Sequence, residues 1–179
     1  MSVSSKQAPE PTLFIDGKWC HSSDGKSREV IHPSDASVFT YVDEATTQDA
    51  ERAIESAKRF FDSSEWPRLR CADRVAFLSK TADLLQRDKA LLAKLETHDT
   101  GKAVRESEQD VDDVTATFRY YAQAALEMDH EKVIKSEFLP ETAKNVIRNE
   151  PVGVCTLISP WNFVSCHRVF ARILHAQLC

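Results

Sequence analysis

Glu150-Pro151-Val152-Gly153-Val154-Cys155-Thr156-Leu157-Ile158-Ser159-Pro160-Trp161-Asn162-Phe163 is the stretch on which the fold turns. Val152 to Ile158 is a short apolar run with one Gly and one Thr, bounded by Pro151 and by Ser159-Pro160. Such a run between turn residues reads as a strand buried on both faces, the kind found inside a parallel sheet. A parallel strand needs neighbours, each reached through a crossover of about a dozen residues or more. Only residues 164–179 follow the stretch, room for one helix and no second parallel strand. The expectation is an α/β chain that begins a sheet and does not itself supply the rest.

Upstream of this stretch the pattern alternates between short strands and longer helices. Leu13 to Trp19 reads as a hairpin with Asp16-Gly17 at its turn, the strongest short hairpin dipeptide. Val30-Ile31 and Val38 to Val42 are further strand candidates. Three helical patterns follow. Ala50, Ala53, Ile54, Ala57, Phe60 and Phe61 share one face, behind a Thr46-x-x-Asp49 capping pattern. Val75, Leu78, Ala82, Leu85 and Leu92 form a second stripe, which Gly101 stops, with Lys94 and Lys102 near its negative end. Val111, Val114, Phe118, Tyr121 and Ala125 form a third, and the acidic run Glu106 to Asp113 suits a helix start. Val133-Ile134 and Asn145 to Arg148 read as two more strands.

Composition narrows the function classes. A net charge of −5 gives no reason to expect nucleic acid as a partner. The four glycines, Gly17, Gly25, Gly101 and Gly153, form no G-x-G-x-x-G phosphate cradle. Five scattered cysteines, an odd number, imply no disulfide framework. Residues 1–11 lack the apolar core of a signal peptide, and no run approaches the roughly eighteen apolar residues of a membrane span. A cytoplasmic protein with no membrane partner is the expectation.

Four segments, in this order and spacing, carry a family resemblance: Leu13-Phe14-Ile15-Asp16-Gly17-Lys18-Trp19, Val30-Ile31-His32-Pro33, Leu95-Glu96-Thr97-His98-Asp99-Thr100-Gly101-Lys102, and the Pro-Trp-Asn stretch quoted first. Together they resemble the N-terminal third of the NAD(P)-dependent aldehyde dehydrogenase superfamily. Asp110 to Val114 and Phe118 to Ala122 resemble its betaine-aldehyde and aminoaldehyde branch. The resemblance runs to Phe163. Residues 164–179, beginning Val164-Ser165-Cys166-His167, read as a tail outside the family pattern and as the mark of a truncation or frame change.

The resemblance implies a division of the chain. Residues 1–11 form a disordered arm, and 12–130 the N-terminal helical and strand part of a cofactor-binding domain. Residues 131–150 form an oligomerisation ribbon, 151–163 the first Rossmann-type strand with its Pro-Trp-Asn loop, and 164–179 the tail. It also implies oxidation of a small-molecule aldehyde to a carboxylate with NAD or NADP, in a homo-oligomer. The family's nucleophilic Cys and general-base Glu lie further along than this sequence reaches, so this truncated chain alone is expected to be inactive. An alternative from another class is a non-catalytic piece that binds full-length subunits through its ribbon and modulates their assembly.

Candidate site residues follow from the same resemblance. Asn162 matches the side-chain donor that faces the oxyanion of the tetrahedral intermediate, a task that suits a preorganised amide N–H; from the residues alone it could equally cap a following helix. Ile158, Ser159, Pro160 and Trp161 match the wall along the nicotinamide ribose, with core packing as the plainer reading. Asp99, with the carbonyls of Ile31 and Val30, matches a monovalent-cation site, and a hard cation takes carboxylate and carbonyl oxygens; Asp99 as a polar residue at a helix end is the plainer reading. Cys166, His167, His175 and Cys179 lack zinc spacing. His98, Glu96 and Asp99 read as a solvated face rather than an acid–base set.

Overall fold

The computed structural model describes residues 3–4, 8–127, 131–134, 144–158, 160 and 162. Its strands are β1 (Val3–Ser4), β2 (Leu13–Ile15), β3 (Lys18–Cys20), β4 (Ser27–Ile31), β5 (Val38–Asp43), β6 (Glu131–Ile134) and β7 (Asn145–Arg148). The helices are α1 (Thr47–Ser63), α2 (Cys71–Arg87), α3 (Lys89–Thr100) and α4 (Val104–Leu126), with a 3-10 turn over Trp66–Arg68.

The strands pair antiparallel in three small sheets, ordered β1-β4-β5, β2-β3 and β6-β7. The β2–β3 turn is made by Asp16 (φ 55°) and Gly17 (φ 74°), the twist a two-residue hairpin needs. Val3 and Ser4 pair with Arg28 and Ser27, and Ala8 is buried. The expected disordered arm therefore contains a short edge strand. The β4–β5 ladder slips between Val30 and Ile31, whose partners are Thr40 and Val38. Phe39 is the extra residue of a β-bulge there, and a bulge re-aims its side chain.

The helices supply the core. On α4, Val111, Val114, Phe118, Ala122 and Ala125 are buried, the three- and four-residue steps of one helix face. Val114 and Phe118 meet Ala82 of α2, with Leu78, Leu85 and Tyr121 packed around them. Capping sets where α1 begins: the Thr46 hydroxyl accepts from the Asp49 N–H, and the Asp49 carboxylate accepts from the Thr46 N–H. The second stripe read from sequence is two helices rather than one. Asp88 closes α2 and opens α3 at φ −97°, ψ 12°, out of the helical region. Gly101, at φ 78°, ends α3 in the left-handed conformation.

The Val152–Ile158 run differs from its expected form. Residues 151–158 are irregular, and Val152, Val154, Leu157 and Ile158 are exposed. No described strand lies beside them to complete a ladder. An apolar run becomes a buried strand only where a neighbour takes its backbone hydrogen bonds and a layer covers its faces.

Candidate functional site

The β4–β5 hairpin packs against α3 and leaves a cavity of about 310 Å³. Val30, Phe39, Thr40 and Val42 line it from the strands, and Leu92, Leu95, Glu96 and Asp99 from the helix. Phe39, thrown out by the bulge, stacks on His98 with ring centres 5.2 Å apart. His98 in turn meets His32 edge to face at 4.9 Å. His98 is thus a packing residue between His32, in the turn after β4, and Phe39 of β5, rather than part of a solvated face.

The two carboxylates that line the cavity, Glu96 and the cation candidate Asp99, have different surroundings. Glu96 is buried and accepts from Lys102 Nζ at 3.1 Å. Lys102 also donates to Asp110, so one ammonium serves two acids. Burial alone works against the Lys102 charge, and the bonds to Asp110 and Glu96 outweigh it, so its pKa is raised. Asp99 is exposed at the cavity's edge and has no ion-pair partner among the described residues. The cavity thus brings Val30 and Asp99 together, whereas the Ile31 side chain faces solvent at 42% exposure. Among the described residues no cluster of three or more His, Cys, Asp or Glu could hold a metal by side chains alone.

The Pro-Trp-Asn loop lies apart from this cavity's lining. Ile158 is 92% exposed, Pro160 half-buried and Asn162 exposed in a turn. Ser159 and Trp161 lie outside the described residues, as do Cys166, His167, His175 and Cys179. An apolar side chain that should wall a ribose stands in water, so the described residues of this chain alone do not fit a dinucleotide. Among the described residues, Cys20, Cys71 and Cys155 form no disulfide.

Two buried carboxylates organise this end of the molecule: Asp43, which no sequence pattern singles out, and Asp49, which the pattern marks only as a helix cap. Asp43 accepts from the Thr12 N–H and hydroxyl, both at 2.9 Å, from the Ser22 N–H at 3.0 Å and from His21 Nδ1 at 3.1 Å. Burial pushes its pKa up, but the Ser22 and Thr12 donors prevail and hold it below the usual range. Asp49 accepts from the Ser23 N–H at 3.0 Å, from Thr46 and from Arg52, and is lowered to about 2. The Ser23 N–H is the main cause, set against burial. The capping signature announced Asp49's helix role; nothing local announced that loop residue Ser23 would share it.

This chain belongs to the aldehyde dehydrogenase family, whose sequence model matches residues 19–176. The match continues past Phe163 into the residues that the sequence reading set apart as a tail. Among its relatives, betaine aldehyde dehydrogenase of Bacillus subtilis is 41% identical over 152 residues, 85% of this chain and 30% of the relative. Aminoaldehyde dehydrogenase 2 of Solanum lycopersicum is 32% identical over 163 residues, 91% of this chain and 32% of the relative. The crystal structure of Staphylococcus aureus betaine aldehyde dehydrogenase in complex with NAD+ has a TM-score of 0.85 at 35% identity, over 98% of this chain and 33% of that one. The fold is therefore the N-terminal portion of the aldehyde dehydrogenase fold, and the chain spans about a third of the length of the relatives it matches.

Proposed function

We propose that this sequence is the N-terminal part of an enzyme that oxidises betaine aldehyde or an aminoaldehyde to the carboxylate with NAD(P), and that these 179 residues alone do not turn over aldehyde. The observation that carries the reading is the 41% identity to a betaine aldehyde dehydrogenase over 152 residues. Inactivity of the isolated chain rests on the 92% exposure of Ile158, which leaves the cofactor wall open. Ile158, Ser159, Pro160 and Trp161 are the residues assigned to that wall, and Asn162 is assigned as the oxyanion donor. Its exposed side chain in a turn is free to point at a reacting carbonyl that the rest of the fold would position. Asp99, Val30 and Ile31 are assigned to a monovalent cation.

Domain limits at 12–130, 131–150 and 151–163 belong to the same reading, as does homo-oligomerisation through β6–β7. Every described residue of that ribbon is exposed, Val133, Ile134, Val146 and Ile147 among them, more apolar surface than an isolated hairpin sustains in water. A cytoplasmic location completes the reading. No described helix is long and apolar enough to cross a membrane; relatives named peroxisomal and mitochondrial set the competing addresses that cell fractionation distinguishes.

The test joins this chain to the remainder of the Bacillus subtilis relative and follows NADH absorbance with betaine aldehyde. Turnover is expected in the joined protein and none in the isolated chain. Asn162→Ala in the joined protein is expected to lower kcat by about 100-fold or more, the loss that follows removal of one oxyanion donor. An active isolated chain, or a joined protein with undiminished kcat after Asn162→Ala, sinks the assignment.

A further inference from the structure

The chain holds two Asp-Gly pairs, Asp16-Gly17 and Asp24-Gly25. In such a pair the glycine nitrogen, with no side chain beside it to block the approach, can attack the preceding side-chain carboxyl. The dipeptides are identical, but their surroundings differ. The Gly25 N–H donates to the Ser22 carbonyl at 3.1 Å. The Asp24 carboxylate accepts from the Lys26 N–H at 3.0 Å and from the Ser22 hydroxyl at 3.3 Å. One turn thus holds both the nitrogen and the carboxyl of that pair. Asp16 and Gly17 instead sit at the exposed tip of the β2–β3 hairpin, and among the described residues the Gly17 N–H donates no hydrogen bond. Asp16 stands at φ 55°, a left-handed conformation that costs an L side chain energy.

β2 and β3 pair only with each other, over three residues each, and a two-stranded hairpin of that size is marginal on its own. Its tip is fastened by α1: the Asp16 carboxylate accepts from the Ser56 hydroxyl at 2.9 Å and from the Arg59 guanidinium at 2.7 Å. The Ser56 bond, then the Arg59 bond and charge, hold the carboxyl below the usual carboxylate range. The ionised form they favour is the one a nitrogen nucleophile does not attack.

We propose that Asp16-Gly17 is a site of spontaneous isoaspartate formation gated by Ser56 and Arg59 of α1, and that the Asp24-Gly25 turn resists the same reaction. When the carboxyl leaves its two donors and takes up a proton, the Gly17 nitrogen bonds to Asp16 Cγ. The Cγ–OH bond breaks, the hydroxyl and the nitrogen's proton leave as water, and a cyclic imide forms. Water then adds at the main-chain carbonyl carbon of Asp16, and the bond from that carbon to the Gly17 nitrogen breaks. The main chain now runs through Cγ, and the former carbonyl carbon bears the carboxylate. Nothing is oxidised or reduced, and the water lost is balanced by the water gained. The added main-chain methylene does not fit a two-residue turn in register, and the shortened carboxylate arm no longer reaches α1. The modification therefore frees the hairpin from the helix. It is independent of aldehyde oxidation.

The test ages the purified chain, and in parallel the joined protein, in warm, mildly acidic buffer. Isoaspartate at each pair is read by peptide mapping with electron-transfer fragmentation. It is expected at residue 16 well ahead of residue 24. Ser56→Ala with Arg59→Ala should speed formation at residue 16 several-fold and leave residue 24 unchanged. Alanine favours helix, so α1 is expected to persist, and circular dichroism checks it; Ser56→Ala alone, the milder change, should give a smaller rise. In urea, where neither turn survives, the two pairs should react at like rates and the substitutions should no longer matter. Equal rates at the two pairs in the folded protein overturn the site. A folded double variant no faster at residue 16 than its parent overturns the gate. A difference between the pairs that persists in urea belongs to the neighbouring sequence and overturns the role of the turns.

Discussion

Gly101 and Pro33 meet so closely that a Cβ on Gly101 would lie 2.8 Å from Pro33 Cγ. The contact brings the turn after β4 against the C-terminus of α3. Gly101 also holds φ at 78°, where an L side chain costs about 1–2 kcal/mol. Gly101→Ala is therefore expected to destabilise the chain by about 2 kcal/mol or more, from strain and overlap together. Pro33→Ala removes the ring carbon from the way. Denaturant titration of both single variants and the double variant should show Pro33→Ala recovering part of the Gly101→Ala loss. Strict additivity would show that the overlap contributes nothing.

Asp49 makes stability depend on acid. Its folded pKa of about 2 lies below the unfolded carboxylate value of about 3.9. Between those values the unfolded chain binds the extra proton, so stability rises with pH through the window and is lost as pH falls from about 4 to about 2. The side chain is fully shielded from solvent, and the shift corresponds to a contribution on the order of 2 kcal/mol above the window. Asp49→Asn should remove much of that contribution at neutral pH and flatten the acid limb. Thermal melts of both proteins across pH 2 to 5 check it (a range spanning about both pKa values). Parallel acid limbs would show that other groups carry the dependence.

The parts of this fold that were legible in the sequence are those written within a few residues. Asp16-Gly17 specifies its hairpin, Thr46 and Asp49 specify a helix start, and the Val111, Val114, Phe118 spacing specifies the buried face of α4. What was not legible depends on pairs distant in the chain. The α2–α3 break sits at Asp88, inside an apolar stripe whose period carries through it. The burial of Glu96 depends on Lys102 turning back and on Asp110 arriving from α4. Val3 finds Arg28 twenty-five positions later. The Val152–Ile158 run is the inverse case: its sequence states a strand, but a strand exists only with a partner beside it. The resemblance named Asp99 and Val30, which line one cavity, whereas nothing local announced the bulge that brings Phe39 onto His98.

Lys102 is the shared cation of a buried cluster, at 15% side-chain exposure against 4% for Glu96 and 14% for Asp110. Removing it takes the shared ammonium from two carboxylates in a poorly solvated place, a loss of about 3 kcal/mol. Lys102→Met is expected to cost that much at neutral pH, read by denaturant titration. The triple variant Lys102→Met, Glu96→Leu, Asp110→Leu should be more stable than Lys102→Met alone, because it removes the two acids' desolvation cost along with the lysine. Equal stability of the single and triple variants would show that the acids find other partners once the lysine is gone.

Asp99 supplies the direct test of the cation assignment. A ligand that binds only the folded chain raises stability by RT ln(1 + [L]/Kd), about 1.4 kcal/mol at ten times Kd. For a chain of this size that shifts Tm by about 2–4 °C. If the cation assignment holds, potassium is expected to raise Tm by about 2–4 °C over a bulky organic cation at equal ionic strength. Asp99→Asn should erase the difference. Glu106→Gln, which removes the same charge at the exposed start of α4, should retain it, since nonspecific screening acts on both acids alike. A potassium effect that survives Asp99→Asn, or one that Glu106→Gln removes equally well, would place the ion elsewhere or nowhere, and Asp99 would then be no more than a polar residue at the end of α3.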